Sequence, residues 1–268
     1  MSVADTSPSG PTARFAELVG GPGEPALDEG ALLIAAHARP DLDVRAAVGR
    51  LDDLARGCPG TTLDDLRTYL FEELGFRGNT DEYDDPANSY LDVVLDRRVG
   101  IPITLGVLTV EVGRRVGVRL GAVGMPGHVL VRSLDEPGLF VDPFGGGAAL
   151  GAPECAEVFH RVMGPGAEFD PAFLDVSDHR TILWRMLTNL RSAFAARSDL
   201  GSLRWSAELQ LAFPDVSAQD RHRLAALLGT VGGLRRAAVE LEAVADALPD
   251  DAADSARRQA RVLRARLN

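Results

Sequence analysis

The chain contains no lysine: all 28 of its Lys and Arg residues are arginine. Without an ε-amine it cannot form a Schiff base, use lysine as a general base, or act as its own amine donor in a transamidation. Cysteine is scarce as well. Cys58 and Cys155 are too few for a disulfide scaffold, and no Cys-x-x-Cys or His-x-x-x-His spacing offers a metal site, so neither a metal nor a cofactor is expected. No apolar run approaches the ~20 residues needed to cross a bilayer, and the opening MSVADTSPSGPTARF has neither the basic start nor the apolar stretch of a signal peptide. These absences predict a soluble, cytoplasmic protein. Basic stripes are missing too, and the net charge of −11 repels phosphate backbones and anionic lipid. Direct nucleic-acid and membrane partners are therefore not expected.

What is present is an ordinary globular composition, 46% hydrophobic in 268 residues, enough for two packed units. Residues 1–25 are rich in Ser, Pro, Gly and Thr and read as a flexible leader. From Leu27 the apolar spacing turns helical, in ALDEGALLIAAHA, LDVRAAVGRLDDLARG and TTLDDLRTYLFEELGF, the last opened by a capping-box pair, Thr62 and Asp65. Residues 26–98 thus form a helical N-terminal subdomain. Asp84–Asn88 reads as a turn, SYLDVVLDRR as a short helix, and PITLGVLTVEVGRRVG as a longer one, with Pro102 in its first turn and Gly117 at its end. VRLGAVGM and HVLVRSL read as strands, DEPG as a turn, and LFVDPF as the returning strand, with Gly145–Gly147 closing the sheet region. From His179 the pattern is helical to the end. Leu200 and Leu234, like Trp205 and Val239, stand 34 apart, and Pro214 and Pro249 stand 35 apart. Such a period is that of tetratricopeptide (TPR) repeats, here two of them plus a last helix as a cap. The fold class is α+β, divided into a core at 99–178 and a TPR-like helical domain at 179–268.

Within the core, two residues stand out. His128 follows the bend Gly124–Gly127 at the entrance of a strand, where an imidazole can serve as a base or bond a loop carbonyl. Asp142 lies in an otherwise apolar strand, where a carboxylate is costly unless a donor satisfies it. That donor is His128 or the backbone at Gly145–Gly146. A four-residue loop would put the two side chains on opposite faces of the hairpin, and a three- or five-residue loop on the same face. Cys58, in a Gly-Pro turn, reads as an inert packed thiol. So does Cys155, although its helix start would lower a thiol pKa.

The words Asn88-Ser89-Tyr90-Leu91, Arg98 to Leu105, Pro126-Gly127-His128 and Val141 to Gly146, with Phe71 to Asn79 upstream, carry a resemblance to the SirB-type family. It covers roughly residues 26–268. The family joins a transglutaminase-like (papain-like) core to TPR repeats, and its members are often described as regulators of sirC expression. The resemblance implies that His128 is the base and Asp142 the residue that orients it, with Asn88, Tyr90, Arg98 and Gly127 supporting the pocket. Where active relatives carry a nucleophilic Cys at the helix start, this chain reads Gly100 to Leu105, and Thr104 has the nearest hydroxyl. A Thr hydroxyl is a poor nucleophile without strong activation. The expectation is a non-catalytic or residual-activity module acting in protein–protein interaction or regulation, with a protein or peptide partner held by the TPR-like domain. The alternative is a hydrolase or acyltransferase of the peptidase or transglutaminase type that uses Thr104, His128 and Asp142.

Overall fold

The computed structural model describes residues 10–267. Their contacts divide the chain into two compact units, one from Gly23 to Met186 and one that combines the segment up to Pro22 with the chain from Leu187 onward. The helical N-terminal region and the core, expected as separate domains, thus form one unit.

Numbered in chain order over both units, the helices of that unit begin with α2 (Leu27–Ala38), α3 (Val44–Gly57) and α4 (Leu63–Arg67). Asp43 caps α3, its side chain accepting from Ala46 N at 3.0 Å. The capping box foreseen at Thr62 and Asp65 is formed, and α4 continues as a π-helical turn to Glu73. Helix α5 (Leu91–Arg97) ends on Arg98 in the left-handed conformation, φ 55°. Two short parallel strands flank this stretch, β1 (Arg77–Gly78) and β2 (Val99–Gly100). Strands of two residues show no alternation, which is why the sequence did not reveal them.

Helix α6 (Pro102–Val116) is the centre of the unit: every residue from Pro102 to Gly113 is buried, as expected of a helix enclosed on all sides. Its C-terminal end is tied to the other helices by charge. Arg115 donates to Asp52 of α3 and to Glu111 of α6, both at 2.7 Å, and also bonds the buried Asp28 of α2. Asp28 and Glu111 are both less than 5% exposed, so each needs this guanidinium to offset its desolvation.

Strands β3 (Leu120–Val123), β4 (Leu130–Ser133), β5 (Phe140–Asp142) and β6 (Ala148–Leu150) form an antiparallel sheet in that order. The triple glycine expected to close the sheet instead turns the chain back into β6. On the sheet packs α7 (Ala152–Met163), where Cys155, Val158 and Phe159 meet Val123, Leu130 and Phe140 in a shared core. The division between units falls within α8 (His179–Ala196).

The second unit is all helical. Residues 11–20, expected to belong to an unordered leader, form helix α1 (Pro11–Gly20), whose Phe15 and Val19 are fully buried. Their spacing of four residues puts both on one face, and Phe15 meets Phe213 edge-on with centroids 5.7 Å apart. The Pro and Gly content on either side hid this short amphipathic segment. Residues 1–9 of the expected leader lie outside the described residues. Helices α9 (Leu200–Gln210), α10 (Ala218–Thr230), α11 (Leu234–Ala245) and α12 (Asp250–Ala265) each pack on the next. Phe194 of α8 meets Trp205 of α9 at 5.4 Å.

Candidate functional site

The hairpin settles what the sequence left open. Val131 pairs with Val141 and Arg132 with Phe140, and Ser133 N donates to Leu139 O, so five residues, 134–138, make the loop. In that register Asp142 stands opposite Leu130, and residue 128, two positions earlier, shares its face. The two side chains meet: His128 Nε2 lies 2.9 Å from Asp142 Oδ1. A carboxylate only accepts, so Nε2 carries a proton here, and in the neutral ring Nδ1 is then the nitrogen with the lone pair. His128 itself sits in the turn just before β4, with its N–H donating to Met125 O at 3.1 Å. Both residues are 6% exposed.

Asp142 Oδ1 also accepts from the backbone N–H groups of Phe144 and Gly145, each at 3.1 Å. The two roles weighed for this carboxylate, partner of the imidazole and cap of the glycine turn, are therefore held by one oxygen. Three donors on one atom fix it in place and orient the ring it holds.

The turn carrying His128 is held from α8. Arg185 Nη2 donates to the carbonyls of Met125 at 2.9 Å and His128 at 3.2 Å, and Ser177 Oγ accepts from Gly124 N at 3.1 Å. Burial lowers the pKa of this guanidinium. At Gly124 a Cβ would lie 2.3 Å from Arg185 Nη1 and 2.8 Å from Ser177 Oγ, so a side chain there would displace the groups that hold the turn. Gly127 has φ +71°, a conformation that a side chain would strain, and so lets the chain turn into His128.

Thr104 is not part of this assembly. It is fully buried in the first turn of α6, and its Oγ1 makes no hydrogen bond, to His128 or to any other described residue. The hydroxyl expected as the alternative nucleophile is therefore buried and not hydrogen-bonded to His128. Neither cysteine replaces it. Cys58 Sγ donates to Gly60 O at 3.4 Å after α3, outside the core motif. Cys155 is fully buried, and burial, aided by the charges of Glu154 and Asp142, pushes its thiol up to about 11. The lowering expected from its place at a helix start is outweighed by desolvation.

The supporting residues divide. Asn88 is fully buried and organises the preceding loop, donating to the carbonyls of Glu82 at 2.7 Å and Tyr83 at 3.2 Å. Tyr90 is buried at the N-cap of α5. Arg98 is a structural C-cap that donates to Leu74 O at 2.8 Å and lies away from His128 in its bonding. Sequence reasoning missed Tyr83, Phe144 and Arg185. Phe144 touches both the ring of Tyr83 and that of His128, with centroids 5.9 Å apart in each case. Only the place of Phe144 two residues after Asp142 could have signalled it. Among the described residues no group of three or more His, Cys, Asp or Glu side chains could hold a metal ion, and no helix is long and apolar enough to cross a membrane.

A central helix packed on an antiparallel sheet, with a His–Asp pair across the β4–β5 hairpin, is an arrangement that fits a transglutaminase-like core. The model of the transglutaminase-like superfamily matches residues 34–188, and the chain belongs to that superfamily. Among relatives, it is 48% identical over 134 residues to a UPF0162 protein of Xylella fastidiosa, and the match spans about half the length of each, 48%. It is 32% identical over 212 residues to UPF0162 protein PA3419 of Pseudomonas aeruginosa, covering 76% of this chain and 77% of the relative. F-box only protein 21 of Mus musculus is 34% identical over 167 residues, 57% of this chain and 26% of that protein. No solved structure matches the chain.

Proposed function

We propose that this protein is a transglutaminase-like module of the SirB type that keeps the base and its orienting carboxylate but has no nucleophile beside them, and that it acts by binding a protein or peptide. The observation that carries the reading is the contrast between His128, bonded to Asp142 at 2.9 Å, and Thr104, whose hydroxyl is buried and bonds nothing. An oriented imidazole without a nucleophile cannot carry out acyl transfer through a covalent intermediate, but it remains a hydrogen-bonding group.

The helical unit supports a partner-binding role. Helices α9 and α11 begin 234 − 200 = 34 residues apart, and Pro-Asp follows each of them. A TPR-like reading makes α8–α9 and α10–α11 two repeats and α12 the cap. The likeness to F-box only protein 21, of which the match covers 26%, supports a module that functions joined to different neighbours.

Electrophile labelling tests the proposal. In a Cys58→Ser, Cys155→Ser background, a Thr104→Cys variant should react slowly with iodoacetamide, with a thiol pKa at or above the free-thiol value of about 8.5. A value well below that would mean that His128 activates position 104. So would a covalent acyl adduct on wild-type Thr104, and either result would establish the hydrolase or acyltransferase reading instead.

A further inference from the structure

The loop beside His128 is built more firmly than a surface turn requires. Asn88 Oδ1 accepts from Asn79 Nδ2 at 2.9 Å, Asn79 Oδ1 accepts from Glu82 N at 3.0 Å, and Asn88 Nδ2 donates to the carbonyls of Glu82 and Tyr83. Both amides are buried, at 7% and 0% exposure. Buried amides are costly unless bonded, and here the bonds go to the backbone immediately around one residue, Tyr83. Yet that residue is 45% exposed.

The ring held in this way belongs to a row. Tyr83 meets Phe144 edge-on, and Phe144 meets His128 edge-on. Gly78 makes room for the row, since a Cβ there would stand 2.6 Å from the Phe144 ring. Burial raises the Tyr83 phenol pKa, so it is neutral near pH 7. Next to the His128 turn, Val162 and Met163 are also about half exposed, and both reach the place where a Cβ on Gly127 would stand. Apolar groups left open together around a polar group mark a contact surface. The polar group is the imidazole. With Nε2 given to Asp142, Nδ1 of the neutral ring is an acceptor and calls for a donor on the ligand.

We infer that Tyr83 is the specificity-determining wall of the His128 site, and that the ligand is a peptide segment giving a backbone N–H to His128 Nδ1 and an aromatic or aliphatic side chain to the Tyr83 ring. This inference rests on the reading of the His128–Asp142 pair as a binding group.

The test uses the full chain carrying 3-fluorotyrosine and ring-labelled histidine. Its three tyrosines are Tyr69, Tyr83 and Tyr90. The probes are N-acetylphenylalaninamide, N-acetylglycinamide and N-acetylargininamide, followed by NMR. With N-acetylphenylalaninamide, the His128 and Tyr83 signals should move along one saturation curve, at an affinity about tenfold above that of N-acetylglycinamide. Tyr83→Ala should remove that advantage and Tyr83→Phe should keep it, with unchanged Tyr69 signals reporting an intact fold. A His128 signal that saturates while the wild-type Tyr83 signal stays still overturns the inference and leaves the binding role of the pair standing; this readout needs no variant. Tighter binding of N-acetylargininamide than of N-acetylphenylalaninamide likewise overturns the apolar class alone. If no probe moves His128, both the inference and the binding reading fall.

Discussion

Replacing Thr104 by Val should stabilise the protein. The two side chains are nearly the same shape, and their helix propensities are close, so the exchange isolates the hydroxyl. At this position the hydroxyl is out of water and without a partner. A buried hydroxyl left unpaired costs ~1–3 kcal/mol relative to an apolar group. The Oγ1 of Thr109, on the same helix, instead bonds Leu105 O at 2.8 Å and supplies an internal control. Thr104→Val should therefore raise stability by about 1–2 kcal/mol, which corresponds to a rise of roughly 2–8 °C in Tm for a unit of this size. Thr109→Val should have the opposite sign, by about 1 kcal/mol. Thermal unfolding followed by circular dichroism reads both. A loss of 1 kcal/mol or more in Thr104→Val would mean that the hydroxyl makes a bond worth keeping, and the separation of Thr104 from His128 would then be mistaken.

Asp142→Ala should cost about 2–4 kcal/mol, because it leaves His128 Nε2 and the N–H groups of Phe144 and Gly145 without their acceptor. Urea denaturation measures this, and a loss below about 0.5 kcal/mol would show that the carboxylate does not organise the turn. Phe15→Ala should destabilise the helical unit by about 3–5 kcal/mol through a cavity against Phe213; protection from proteolysis that is unchanged in the variant would return residues 11–20 to the status of a leader. The pH dependence has a definite sign. Burial acts to raise the pKa of Asp28, but the hydrogen bond and charge of Arg115 outweigh it and hold the carboxyl below its ordinary value. Its contribution is therefore present above the unfolded pKa near 4 and is lost as pH falls through the lower folded value. Asp28→Asn should flatten the acid limb of a stability-against-pH curve, and an unchanged limb would remove Asp28 as a cause.

How much was legible in the sequence follows from the range of the signals. Helices α2, α3 and α6 were read with nearly their observed bounds because a period of 3.6, with end signals such as Pro102 and Gly117, is local information. The pair β4–β5 was read because alternation and a turn sit within fifteen residues. Strand β6 was missed because three residues after a glycine run show no period. Helix α1 was missed because its two anchors, Phe15 and Val19, were outvoted by Pro and Gly on either side.

The sequence alone determined that lysine chemistry is absent, that the only thiols are Cys58 and Cys155, and that a His and an Asp fall 142 − 128 = 14 positions apart across a turn. Those are matters of composition and spacing, which no packing can change. Tertiary structure decided the rest. A five-residue loop placed His128 and Asp142 on one face, where a change of one residue would have put them on opposite faces. Enclosure of the α6 start cut Thr104 off from the imidazole, and burial made Cys155 inert at a helix start that favours thiolates. Contact and desolvation depend on residues distant in the chain, such as Arg185 against His128, and no local pattern encodes them.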